Sequence, residues 1–326
     1  MQKPLIVVTR RIHFEALQKL NELGDLKIWE GDGPIDPITF AAWLKTADAC
    51  LTMLTDRVDE LALSQAPHLK IVSNMAVGYD NFDLKAATAR HIMMTNTPDV
   101  LTEATAELTW ALILALMRNI VPARDDLLAG KWTTWRPDGF LGTEVSGKTL
   151  GIVGLGRIGR AVARRAFAFN MPVIAWARDG RATIEERIPR AARSQFLARA
   201  DVVTLHVPLT PQTYHLVDKD WLKAMKPSAF LINTARGGVV DEIALKSALD
   251  RNELAGAALD VFAQEPVDAR HPLASHPRVL ATPHIGSATN ETRKAMALRA
   301  VANIRAALSG HVPPDLLNPD SLLSNG

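Results

Sequence analysis

Between an apolar tetrapeptide, Leu150-Gly151-Ile152-Val153, and a helical pattern over residues 158–169, the chain reads Gly154-Leu155-Gly156-Arg157-Ile158-Gly159. Alone, a Gly-x-Gly-x-x-Gly string is a weak signal. Set between a strand and a helix of one βαβ unit, it constrains the backbone strongly. The first glycine permits a tight turn, the second lets a pyrophosphate approach the main chain, and the third lets the helix pack close to the sheet. Free amides at the helix N-terminus then face the anion. Glycines kept for turn geometry alone are the plain alternative.

The rest of the chain repeats that local grammar. Short apolar, β-branched runs alternate with helical patterns from end to end, which implies α/β architecture with parallel sheets. Before residue 100 the strands fall at 5–9, 26–29, 49–54, 70–74 and 92–95, separated by helices such as 14–23 and 40–45. From residue 150 a second series has strands at 150–154, 173–177, 202–207, 229–234, 256–262 and 279–282, matching a dinucleotide-binding order. A helix over 101–119 is apolar on nearly all sides and so must be covered all round, as an interdomain or dimer helix or as a core helix. It leads into Lys131-Trp132-Thr133-Thr134-Trp135-Arg136, which resembles a docking arm. A last helix, 291–308, has no strand left to join in the second series and is expected to return to the first. The expected fold is two doubly wound parallel-sheet domains. Residues 1–100 with 285–326 form a discontinuous flavodoxin-like substrate domain, and residues 101–284 a Rossmann dinucleotide-binding domain.

Composition narrows the partners. A net charge of +2 over 326 residues gives no electrostatic case for nucleic acid or an anionic membrane. Cys50 is the single cysteine and sits in the apolar run Ala49-Cys50-Leu51, so neither a disulfide nor a cysteine-rich metal site is expected. No His, Cys and carboxylate cluster has ligand spacing, and no metal is expected. The strongest apolar run, 110–117, is far below the roughly 20 residues of a membrane span. The expected location is the cytoplasm.

A carboxylate about 20 residues beyond a glycine loop binds the ribose 2′-hydroxyl of NAD. Here the strand ends Trp176-Ala177-Arg178-Asp179-Gly180-Arg181, with Ala177 where the acid is expected. Alanine removes repulsion of a 2′-phosphate, and Arg178 or Arg181 can pair with it. The expectation is NADP(H) in preference to NAD(H). In the alternative, the arginines are a solvated turn and Asp179 takes the hydroxyl.

Three segments at strand ends of the second series carry chemistry: Asn233-Thr234-Ala235-Arg236-Gly237-Gly238, Asp260-Val261-Phe262-Ala263-Gln264-Glu265-Pro266 and Thr282-Pro283-His284-Ile285-Gly286-Ser287. With Val77-Gly78-Tyr79-Asp80 and the glycine loop, they resemble the D-isomer-specific 2-hydroxyacid dehydrogenases over nearly the whole chain. Trp132-Thr133-Thr134-Trp135, Phe140-Leu141-Gly142 and Asn170-Met171-Pro172 bring the likeness closest to the glyoxylate/hydroxypyruvate reductases, some of which also reduce 2-ketogluconate.

That resemblance implies reduction of a small 2-oxoacid by hydride transfer. His284 suits the general acid, since imidazole titrates near neutral pH. Glu265 would hold its ring and favour the imidazolium. Arg236 can grip the substrate carboxylate as a fork and polarise the carbonyl. By resemblance, the amides of Val77 and Gly78 bind that carboxylate across the cleft. Gly154 to Gly159, Val207, Pro208, Thr234, Ala235, Arg236, His284 and Gly286 line the cofactor, and Asp260 meets the nicotinamide amide. Thr105 either reaches the phosphates or is an ordinary helix-interior threonine. Of nine histidines the other eight read as structural, with His206 the nearest rival. The implied assembly is a homodimer through helix 101–119 and the Trp132/Trp135 loop. Rival readings are a phosphonate or 3-phosphoglycerate dehydrogenase of the same family, or a nucleotide-sensing corepressor-like scaffold without catalysis.

Overall fold

The computed structural model describes residues 3–176 and 188–323. The chain divides into two compact units, residues 1–101 with 287–326, and residues 102–286.

In the first unit, strands β1 (Leu5–Val8), β2 (Asp25–Ile28), β3 (Ala49–Thr52), β4 (Ile71–Asn74) and β5 (Met93–Thr95) alternate with helices α1 (Phe14–Asn21), α2 (Pro37–Leu44), α3 (Glu60–Ser64) and α4 (Leu84–Ala89). All strands pair in parallel in the order β2-β1-β3-β4-β5, the flavodoxin-like arrangement. Every residue of β3 and β4 is buried, as a parallel sheet covered on both faces requires. Asp36, Asp59 and Asp83 start α2, α3 and α4 by accepting the amide three residues on. The strand expected over 49–54 stops at Thr52, because the Asp56 carboxylate takes the Met53 amide at 2.7 Å and turns the chain. Helix α11 (Asn290–Leu308) packs on α1, β3 and β4 of this unit. Behind it, Arg299 grips Asp315 of the tail with two bonds of 2.6 and 2.8 Å.

The second unit opens with α5 (Thr102–Met117), then α6 (Ile120–Leu128). Its strands are β6 (Leu150–Val153), β7 (Val173–Trp176), β8 (Val202–Leu205), β9 (Phe230–Asn233), β10 (Gly256–Leu259) and β11 (Val279–Ala281). They alternate with α7 (Arg157–Ala168), α8 (Arg193–Arg199), α9 (Lys219–Ala224) and α10 (Glu242–Asp250). The sheet is parallel, in the order β11-β10-β9-β8-β6-β7.

That order corrects one detail of the sequence reading. The third expected strand, β8, pairs with β6 on the side away from β7, where a Rossmann sheet puts its fourth member. The third place belongs to a single parallel bridge between Ala175 and Arg190. A one-residue strand preceded by Pro189 leaves no apolar run to detect.

Helix α5 packs on α7, β9 and β10, burying Trp110, Ile113 and Met117, so most of its apolar surface is core of its own unit. Trp110 stacks on Phe169 with ring centroids 4.6 Å apart. The single helix expected to Asn119 breaks there, at a left-handed φ of 52°, and α6 leaves at 63° to α5. No residue of α6 is buried. Among the described residues no single helix is long and apolar enough to cross a membrane.

Candidate active site

Loops following β6, β8, β9, β10 and β11 all leave the same edge of the parallel sheet, the carboxyl edge where ligands bind in such folds. After β6, Gly154 turns with φ +91°, and a Cβ there would lie 2.6 Å from the His206 carbonyl. A Cβ on Gly159 would lie 2.3 Å from the Gly154 carbonyl, so α7 can approach only without one. Gly156 is different: nothing lies within 4 Å of its missing Cβ. Its bareness therefore serves no packing among the described residues, and it leaves the main chain open to a ligand. It also caps α7 without a side chain, leaving the first amides of a 12-residue helix for an anion. These features fit a dinucleotide pyrophosphate.

Around this loop, Leu155 is buried and Ile158 packs on the core, so both anchor the turn rather than face outward. Arg157 is exposed. Val207 lies against Gly154, and Pro208 follows it. The candidates Ala177, Arg178, Asp179 and Arg181 lie outside the described residues.

The three chemical segments converge. After β9, Asn233 accepts the Ala235 amide at 3.0 Å and donates to the Arg236 carbonyl at 3.0 Å, folding the turn that presents Arg236. The Arg236 Nη1 also donates to the Ala235 carbonyl at 2.8 Å. Gly237 then lies flush on the next segment: a Cβ there would sit 1.8 Å from the Phe262 carbonyl carbon. In the loop after β10, Glu265 Oε1 accepts the Phe262 amide at 2.9 Å and Oε2 lies 2.7 Å from His284 Nδ1. Burial opposes ionisation of Glu265, but the His284 bond and charge, the Phe262 amide and the Arg236 charge hold its carboxyl below the usual range. Glu242 of α10 accepts the Ala263 amide at 2.7 Å and faces His271 at 3.4 Å.

His284 itself takes a left-handed φ of 54°, unusual for a residue with a side chain. Its amide donates to the Asp260 carbonyl at 2.9 Å. The Asp260 carboxylate, 1% exposed, accepts Thr282 Oγ1 at 2.6 Å and the Ile285 and Gly286 amides at 2.8 Å each. Burial raises its carboxyl above the ordinary value, against the pull of these donors and of His284. Asp260 thus clamps the loop that carries the histidine. Thr105 lies beside Gly286, while Thr234 shares a 3.0 Å hydrogen bond with Thr109 of α5.

Several of the other histidines have local partners. His206 bonds Thr204 at 2.9 Å, and burial pushes it down to about 3, which leaves it neutral and unsuited to deliver a proton at physiological pH. His13 caps α1, His91 meets the Ser321 carbonyl and His276 meets Asp250. Among the described residues no three His, Cys, Asp or Glu side chains gather as a metal site. Val77 and Gly78 follow β4 in the first unit. Sequence reasoning missed Asn233, Glu242 and Thr282. Asn233 had a local signal, an asparagine at a strand end before a glycine turn; Glu242 and Thr282 act across the fold and had none.

A glycine loop open to a pyrophosphate, on the same sheet edge as a carboxylate-backed histidine, defines a nicotinamide-dependent oxidoreductase. The profile of the "D-isomer specific 2-hydroxyacid dehydrogenase, NAD binding domain" matches residues 110–286. The chain is 46% identical over 324 residues to a glyoxylate reductase of Aeropyrum pernix, covering 98% of this chain and 97% of that one. It superposes on the structure of a Thermus thermophilus protein with a TM-score of 0.90 at 43% identity, covering 96% and 99% of the two chains. It also superposes, over 100% and 99% of the two chains, on the NADPH-dependent glyoxylate/hydroxypyruvate reductase of Sinorhizobium meliloti solved with NADP and malonate, with a TM-score of 0.85 at 32% identity. The chain belongs to the D-isomer-specific 2-hydroxyacid dehydrogenases, and it is an NAD(P)-dependent oxidoreductase.

Proposed function

We propose that this enzyme uses NADPH to reduce glyoxylate to glycolate and hydroxypyruvate to the D-2-hydroxyacid, with 2-ketogluconate as a longer substrate of the same type. The observation that carries the chemistry is the 2.7 Å contact between His284 Nδ1 and Glu265 Oε2. With Nδ1 bound to a carboxylate, the Nε2 proton is the one available, and His284 delivers it to the oxygen of the reacting carbonyl. Arg236 grips the substrate carboxylate and polarises the carbonyl, and the amides of Val77 and Gly78 bind the same carboxylate. A reduced nicotinamide bound at the glycine loop supplies the hydride to C2. Asp260 keeps the histidine loop in place while the charge on the ring changes.

Relatives named as glyoxylate reductases support the substrate class. Support for NADPH over NADH comes from the absent carboxylate at Ala177 and the neighbouring Arg178 and Arg181. Two copies join through α6 and the arm that follows it, where Leu128 (67%), Trp132 (60%), Trp135 (77%) and Leu141 (70%) are exposed. The test is NADPH oxidation with glyoxylate by the wild type and His284→Ala. The variant is expected to lose about 10²- to 10⁴-fold in kcat while binding NADPH normally. Undiminished turnover would remove His284 from the mechanism. A wild type that turns over no 2-oxoacid would leave a scaffold role instead.

A further inference from the structure

In the first unit the loop after β4 is held by its carbonyls. Thr97 donates its amide to the Ala76 carbonyl at 2.9 Å. Asn96 Nδ2 donates to the Val77 carbonyl at 2.8 Å, and Asn74 Nδ2 to the Gly78 carbonyl at 3.0 Å. In a trans peptide the C=O and the following N–H point opposite ways, and the one cis bond among the described residues is Glu265-Pro266. Pinning three successive carbonyls inward therefore turns the amides of Val77, Gly78 and Tyr79 outward together. None of the three donates to an acceptor among the described residues. Adjacent outward amides form a concave partial positive charge suited to an anion.

The two asparagines are themselves fixed. Asn74 is fully buried, and its Oδ1 accepts Thr52 Oγ1 at 3.2 Å while its Nδ2 also meets Asn81 Oδ1 at 3.1 Å. Asn81 in turn holds the neighbouring loop by the Met53 and Asp56 carbonyls, at 3.2 and 2.8 Å. Asn96 is 7% exposed, and its carbonyl accepts Asn303 of α11 at 3.2 Å. The Val77 and Gly78 carbonyls thus lead, through Asn96 and Asn74, into buried hydrogen-bonded structure rather than into solvent. Such a network holds one geometry and resists relaxation.

We propose that Asn74 and Asn96 are positioning residues that hold the Val77, Gly78 and Tyr79 amides as one anion-binding nest and so set the affinity for the substrate carboxylate. This rests on the reading that the loop takes that carboxylate. Neither asparagine touches the substrate; each acts through the peptide it orients.

The experiment uses Asn96→Ala and its near-isostere Asn96→Asp, which also lacks the amide donor. Both are expected to raise the KM for glyoxylate and the Ki of oxamate together, by about tenfold, the equivalent of one well-aligned donor. Saturating kcat and NADPH affinity should stay at wild-type values. A merely structural asparagine would lower Tm while leaving KM and Ki of the folded enzyme untouched, and that result overturns the proposal. Gly78→Pro deletes one nest amide directly. If it too leaves KM and Ki unchanged, the carboxylate reading itself fails; if it raises them while the Asn96 variants do not, only the positioning role fails.

Discussion

Glu265 grips His284 with one carboxylate oxygen, 2.7 Å from Nδ1, and its own loop with the other, 2.9 Å from the Phe262 amide. The carboxylate cannot rotate without losing one bond, so the imidazole is oriented by the loop after β10 rather than by its own helix or strand. Glu265→Gln keeps the shape and removes the charge. Its kcat is expected to fall by about 10- to 100-fold, because the imidazole loses the charged partner that orients it. An undiminished kcat would show that the carboxylate charge is not needed.

The same pair predicts acid sensitivity. Glu265 is held below the ordinary glutamate range in the folded protein. A depressed carboxylate contributes stability that is present above the unfolded value and lost as pH falls through the folded one. Asp260, raised by burial, works the other way and favours folding when protonated. Below the ordinary glutamate range, Tm of the wild type should therefore fall more steeply with acid than that of Glu265→Gln. Parallel Tm curves would contradict the shift.

Two glycines should respond oppositely to alanine. At Gly237 the new Cβ would meet the Phe262 carbonyl carbon at 1.8 Å, so backbone must move and part Arg236 from the Glu265 loop. Gly237→Ala is expected to cost at least about 1–3 kcal/mol and to lower kcat sharply. At Gly156 the Cβ meets nothing within 4 Å among the described residues. Gly156→Ala should leave Tm unchanged and weaken NADPH binding, read by fluorescence titration. Loss of stability at Gly156, or none at Gly237, would count against these assignments.

Cofactor choice is testable through sequence positions alone. Ala177→Asp, combined with neutral residues at Arg178 and Arg181, should move the ratio of kcat/KM values for NADPH and NADH toward NADH. An unmoved ratio would place recognition of the 2′-phosphate elsewhere.

Trp135, 77% exposed on the arm after α6, should lose a contact on truncation if two copies meet there. Trp135→Ala is expected to shift sedimentation toward monomer at dilute concentration. A dimer of wild-type strength, or a wild type that is itself monomeric, would dismiss that interface.

Local features of this chain were legible from the sequence. The glycine loop is a matter of backbone sterics within six residues, and parallel strands buried on both faces appear as short apolar runs whatever their order in the sheet. Arg236, Glu265 and His284 were visible as residue types at strand ends, and the family likeness supplied their roles. What sequence could not yield were relations between distant segments: the fit of Gly237 against Phe262, the Glu242 bond to Ala263, and the pinning of Val77 and Gly78 by Asn96 and Asn74. Nor did it show that the long helix breaks at Asn119 or that a single bridge at Arg190 stands for a strand. Sequence by itself determined which elements form, because apolar period and glycine sterics are local. Tertiary structure alone decided which way the Val77 peptide and the imidazole point, because each depends on a hydrogen-bond partner 19 residues away across the fold.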